Sequence, residues 1–398
     1  MARENMILLR GDVVTPEEVL EDGMIEIHDG TITSVSHSTP LVYDPNIKMV
    51  DCHDKIIMAG FIDVHTHGAI GLDFTDEDPS SMRRLSNFYY RHGVTIVLAT
   101  LSSLPVKLMV LALRRVADFC RENGDNTNIF GVHLEGPFLN KSLRGGNAEE
   151  YIESPELDSW KKLLEAGGGY IRLMTLAPEL PAIGRIIEDA VHNNVVISMG
   201  HSSASSEVTA RVIDAGATQV SHLFNAMPVM HHREPGILAE ALLSDKVDAQ
   251  IIADGIHVDL KMVQLAMRTK SVDHILLITD SMCATNLPDG EYLSAGNAVK
   301  VDRGIPSLKN GTLAGSTLVF EKAVKMVAEN IEVDFPSVSR MASLNAARSL
   351  RIQHHTGSIE RGKVADLVVL DKQFNVCMTI HHGVIKYEAE IPGERRRT

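Results

Sequence analysis

Eight short apolar segments occupy the middle of the chain, at residues 60–67, 93–100, 129–136, 171–178, 195–201, 219–225, 249–257 and 274–280. Most are apolar at every position instead of every second one, the pattern of strands covered by helices on both faces. Helix-like stretches at 103–123, 181–194, 205–216 and 260–270 separate many of them. The third opens on Ser205-Ser206-Glu207-Val208, a capping residue with early acid, and closes on Asp214-Ala215-Gly216. Eight such β-α units in about 300 residues predict a (β/α)8 barrel. Counting strands alone leaves a doubly wound open sheet as the alternative. The polar residues separate the two, because they lie at the C-terminal ends of the strands, where barrel active sites lie. In an open sheet the first and last strands would stand too far apart for His65 and Asp280 to share a site.

The two ends of the chain read differently. Residues 1–58 and the tail from 357 are short strands and turns, with Asp29-Gly30 between two alternating runs, the signal of a tight hairpin. The expected architecture is therefore α/β: a TIM-like (β/α)8 barrel over 59–356, beside a small β-sandwich domain assembled from 1–58 and 357–398.

Bulk properties narrow the function classes. A formal net charge of −14 argues against a nucleic-acid surface, and no basic aromatic patch offsets it. Cys52, Cys120, Cys283 and Cys377 lie far apart with no CxxC, as in a reducing compartment. With no apolar leader and no uncharged span, a cytoplasmic enzyme with no membrane partner is expected.

The strand ends carry metal-ligand chemistry. His65 and His67 are two apart on one strand, so both imidazoles face one way and Thr66 the other. Glu135 ends an apolar strand, and a carboxylate there is costly unless paired or bound to metal. His201 ends the fifth segment, His222 follows Gln219-Val220-Ser221 in the sixth, and Asp280 ends the last. Glu135, His201 and His222 supply three protein ligands, the number expected when a fourth position is kept for water. His65 and His67, with a bridging Glu135 and Asp280, can hold a second ion. The fourth strand ends without lysine, so a carbamylated-lysine bridge is not expected. The donor set suits zinc, iron, manganese or cobalt, as one or two divalent ions. Asp280 is suited to take a proton from attacking water and return it to a leaving nitrogen, with metal coordination as its competing role. Thr279 and Ser281 read as structural, and Cys283, with no base partner, as packing.

The segments AGFIDVHTHG, HLEGPF, MGHSSA, SHLFNAM, HHREPG, IIADGIHV, LITDSMCATNLPDG and TLAGSTL resemble, nearly end to end, the N-acetylglucosamine-6-phosphate deacetylases of the amidohydrolase superfamily. The resemblance implies a homodimer that hydrolyses the N-acetyl group of a hexosamine phosphate. It places the core metal triad on Glu135, His201 and His222 and the acid/base on Asp280. It places substrate contacts on Asn225, Ala226 and His257, and on the turn Leu313, Ala314 and Gly315. It also implies that Arg233 binds the phosphate across the subunit interface. Chemistry agrees: Arg233 offers a donor fork matched to phosphate oxygens, and His257 can donate to the acetyl carbonyl. The retained HxH implies two metals. One departure is Asn147, which stands where the family has a sugar-contacting histidine, and opens the question of the galactosamine epimer. A smaller one is Ser281, where family members commonly have alanine. Other readings are an amidohydrolase for a different N-acyl or cyclic amide, and a non-catalytic sugar-phosphate-binding regulator. The first would need a carboxylate-reading site in place of Arg233, and the second would show eroded ligands.

Overall fold

The computed structural model describes residues 6–37, 48–76 and 78–390. All eight expected barrel strands form: Phe61–Thr66, Val94–Leu101, Ile129–Glu135, Ile171–Leu176, Val196–Met199, Ala217–Val220, Asp248–Ile252 and Ile275–Ile278. They are numbered one to eight here. Neighbours pair in parallel, and the order in the sheet is the order in the chain. The seam between strands eight and one is closed by single contacts. The Asp280 N–H donates to the His65 carbonyl at 2.8 Å, and the Thr279 hydroxyl donates to the Asp63 carboxylate at 2.6 Å. The open-sheet alternative is thereby set aside.

The expected helices stand at Val106–Asn123, Ile183–His192, Ser206–Asp214 and Leu260–Lys270. Ser205 caps the third through the Val208 N–H. Among the described residues, no helix is long and apolar enough to cross a membrane.

Alternation governs which side chains enter the barrel, and strand one breaks it where the site needs it broken. Ile62 and Val64 join an interior cluster with Leu98, Leu173 and Leu276. The pairing register then shifts between Asp63 and Thr66. Beyond this bulge His65 also reaches the interior, where it meets Gln250, while Thr66 turns outward to the Tyr89 hydroxyl. The bulge re-aims both histidines into the barrel mouth.

The terminal segments form a seven-stranded sheet, with Met6–Val14, Val19–His28, Thr31–His37 and Lys48–Ala59 joined by Leu367–Leu370, Val376–His381 and Val384–Glu388. Its hairpin turns on Asp29 and Gly30, both left-handed at φ 46° and 75°, as a two-residue type I′ turn requires. A separate core of Leu9, Ile25, Ile27, Ile57, Leu367 and Val369 holds it. It is tied to the barrel by the Thr379 hydroxyl, which donates to the Tyr90 carbonyl, and by His381, whose Nε2 lies 3.2 Å from the Thr127 carbonyl.

The other nitrogen of His381 meets buried Asp366 at 2.9 Å. Burial alone would raise Asp366, yet His381 and the His382 N–H hold it below the usual carboxylate range. A depressed carboxylate contributes stability that is complete above its unfolded value and is lost as pH falls through the folded one. Asp366→Asn should therefore cost about 3–5 kcal/mol at neutral pH and flatten the acid side of the stability profile. Urea unfolding at several pH values checks both; an unchanged acid slope would remove the pair from that role.

A three-stranded antiparallel sheet, Gly290–Ser294, Asn297–Asp302 and Ile305–Ser307, follows strand eight and is not expected from the sequence. Its strands are short and half-exposed, so no long apolar run announces them. It grips the loop after strand three, with the Asn297 side chain donating to the Gly146 carbonyl at 2.9 Å.

Candidate active site

The six expected ligands meet in the barrel mouth. Glu135 is central: its Oε1 lies 3.2 Å from His65 Nε2, 3.1 Å from His201 Nε2 and 3.2 Å from His222 Nε2. Its Oε2 lies 3.5 Å from His67 Nε2. Asp280 Oδ1 faces the histidine pair, at 3.2 Å from His67 and 3.6 Å from His65. His201, His222 and Asp280 all adopt left-handed backbone, at φ 48°, 29° and 50°. Such conformations are strained in residues with a side chain and persist where the surroundings enforce them.

The outer nitrogens fix the rings. His201 Nδ1 is 2.8 Å from the Leu143 carbonyl, His65 Nδ1 is 2.9 Å from Gln250 Oε1, and His67 Nδ1 is 2.9 Å from the Ser102 hydroxyl. A carbonyl can only accept, so Nδ1 carries the hydrogen in His201 and Nε2 presents a lone pair inward. His201 Nε2 and His222 Nε2 stand 3.0 Å apart. Fully buried His65 Nε2 finds no hydrogen-bond partner among the described residues. Inward lone pairs converging on carboxylates fit a divalent cation, and two overlapping donor sets share His65: His65, Glu135 and His222, and His65, His67 and Asp280.

Carboxylates and imidazoles here hold one another charged against burial. Burial works against charge on His65, but Asp280 and Glu135 outweigh it and lift it to about 9. Burial would likewise raise Glu135, and His201, His222 and His65 instead hold it well below the carboxylate range. Asp280 is lowered in the same way, against burial, by His65 and His67. His133 plays no part in the ligand set. Its nitrogens bond Thr100 and Thr175 at 3.1 and 2.7 Å, one layer below the mouth, and burial keeps it neutral.

Above the carboxylates lies a cavity of about 560 Å³, bounded by Asn147, Asn225, Ala226, His257 and the Leu313–Ala314–Gly315 turn. His257 Nδ1 meets Asp254 at 2.7 Å; burial opposes charge on the ring, and Asp254 raises it nonetheless. Asn147 is committed to the loop itself: its Oδ1 accepts the Ser103 N–H at 2.9 Å and its amide donates to the Arg144 carbonyl at 3.2 Å. Arg144 also lines the cavity, a cation not expected from the sequence. Arg233 does not line it. It is exposed on the His231–Glu234 turn, against its neighbour His232. Ser281 and Thr279 are structural, bonded to Thr66 and Asp63 respectively. Cys283 is buried, its thiol pushed up to about 11 by desolvation.

Residues 56–386 match the Amidohydrolase family. The N-acetylglucosamine-6-phosphate deacetylase of Bacillus subtilis is 33% identical, over 96% of this chain and 98% of its own length. The N-acetylgalactosamine-6-phosphate deacetylase of Escherichia coli O157:H7 is 32% identical, over 92% of this chain and 94% of its own. A solved structure of a Mycobacterium smegmatis N-acetyl-D-glucosamine-6-phosphate deacetylase variant, in complex with N-acetyl-D-glucosamine-6-phosphate, superposes with a TM-score of 0.91. It is 29% identical and covers 96% of this chain and 99% of its own.

Proposed function

The chain belongs to the amidohydrolase family, and from that premise we propose that it hydrolyses the acetamido group of N-acetyl-D-glucosamine 6-phosphate to glucosamine 6-phosphate and acetate. The observation that carries this reading is Glu135, held within about 3 Å of three inward-facing imidazoles beneath a cavity large enough for one sugar phosphate.

Glu135, His201 and His222 would hold one divalent cation, and His65, His67 and Asp280 a second. Zinc, iron, manganese or cobalt bound there would supply Lewis-acid polarisation of the amide carbonyl and a more acidic water. The chain's own residues do the rest. Asp280 accepts the proton of the attacking water and delivers it to the amide nitrogen as the C–N bond breaks. His257, fixed by Asp254 and close to the Gly315 backbone, lines the cavity where the acetyl carbonyl would lie. Asn225, Ala226 and the Leu313–Gly315 turn hold the sugar, and buried Asn147 shapes the loop against it.

The active form in this reading is a homodimer. Arg233 lies outside its own cavity on an exposed turn, as a residue serving the partner's phosphate would. The four unpaired cysteines suit a cytoplasmic setting.

Acetate release from N-acetylglucosamine 6-phosphate, its galactosamine epimer and unphosphorylated N-acetylglucosamine tests the substrate. Turnover should be fastest on the first; preference for the epimer, or indifference to the phosphate, would overturn the assignment. Arg233→Ala should raise KM at least 10-fold, about the 1.4 kcal/mol of one charge-assisted contact, with kcat little changed. An unaltered KM would remove Arg233 from phosphate binding.

A further inference from the structure

Two glutamines, Gln219 and Gln250, are wholly buried in the barrel interior. Left without partners, each amide would be costly to bury. Both are spent on one line of contacts. His65 Nδ1 meets Gln250 Oε1 at 2.9 Å, the Gln250 amide donates to Gln219 Oε1 at 2.7 Å, and the Gln219 amide donates to the Ser349 hydroxyl at 2.6 Å. Ser349 in turn faces Asp248, which His274 holds at 2.8 Å and Lys270 also faces. Asp248, His274 and Ser349 border a second cavity, of about 320 Å³. The line therefore runs through the barrel wall from that cavity to a residue of the metal centre.

The direction of the line is set at its far end. Burial raises Asp248, and His274, Ser349 and Lys270 oppose that shift; as a carboxylate it has no hydrogen to give, so Ser349 turns its hydrogen to Asp248 and accepts from Gln219. That turns the Gln219 oxygen to Gln250, and the Gln250 oxygen to His65. A carbonyl oxygen at His65 Nδ1 demands Nδ1–H there. The reversed line would put the hydrogen on Nε2, where it would block coordination.

We propose that Asp248, Ser349, Gln219 and Gln250 are positioning residues that select the metal-binding tautomer of His65, and so set the affinity of the ion held by His65, His67 and Asp280. This rests on the ligand assignment above but not on the identity of the substrate.

The test is zinc release from the holoenzyme to a chelator, counted ion by ion, for the unsubstituted protein, Gln219→Leu and Ser349→Ala. Neither substitution touches a ligand, and Ser349→Ala is a half-buried hydroxyl deletion that keeps both amides. Gln219→Leu should weaken the more labile ion about 10-fold, within the range seen when such supporting partners are lost. Ser349→Ala should move it in the same direction by less. The ion on Glu135, His201 and His222 should be held as before; the melting transition should fall in Gln219→Leu, which leaves the buried Gln250 amide without its acceptor, and stay near the parent in Ser349→Ala. Equal weakening of both ions would mean general loosening and would overturn the proposal, as would full retention of both in both variants. If the unsubstituted protein never takes a second ion, the ligand assignment fails first and the proposal with it.

Discussion

Asp280→Asn should lower turnover of N-acetylglucosamine 6-phosphate by about 10²–10⁴-fold, the usual contribution of a positioned acid/base, while at least one metal ion per chain remains. Asparagine keeps the shape, tolerates the left-handed backbone at φ 50°, and leaves the main-chain bonds to His65 and Ser316 intact. It cannot take a proton from water at neutral pH. In the proposed assignment the ion on Glu135, His201 and His222 does not depend on this carboxylate. Acetate release with elemental analysis of the same sample checks both halves. Turnover near that of the parent would end the proton-transfer role, and loss of all metal would make Asp280 a ligand first.

Glu135→Gln should have the larger effect, because it takes metal and activity together. One carboxylate serves four imidazoles, and its charge opposes the desolvation of that cluster. The amide has one acceptor oxygen and presents hydrogens where lone pairs are needed. Bound metal should fall below one ion per chain, and turnover should fall at least as far as in Asp280→Asn. Metal retained at the parent level would show that histidines alone hold the ion.

The barrel was legible because its strands are continuous apolar runs ending in polar residues, so fold and site announced themselves in the same letters. Depth within the barrel was not legible. His133 and Glu135 are two apart on one strand and equally plausible ligands by type. Only the structure shows His133 one layer lower, consumed by Thr100 and Thr175. Nor could spacing give the bulge that lets Val64 and His65 both face inward. Asn147 illustrates a different limit. Its place in the loop was readable, but whether its side chain faced a sugar or its own loop depended on the Ser103 N–H, forty-four residues away in the chain. Gln219 and Gln250 did leave a trace, as amides inside otherwise apolar strands. Two buried amides in neighbouring strands are a reason to ask what each one meets.

The seam between strands one and eight has a consequence for when this molecule becomes competent. Asp63 and Thr279, which close it, are 216 residues apart, and the residues of the mouth come from both sides of that join. A chain still emerging during synthesis, or one refolding strand by strand, can complete most of its local pairs, Glu135, His201 and His222 among them, and still lack Asp280 opposite the histidine pair. Long-range closure of this kind comes late and slowly. Catalytic competence is therefore a report that the last join has been made, and a fragment that stops short of residue 280 carries His65 and His67 beside Glu135 but without the carboxylate that serves them from strand eight.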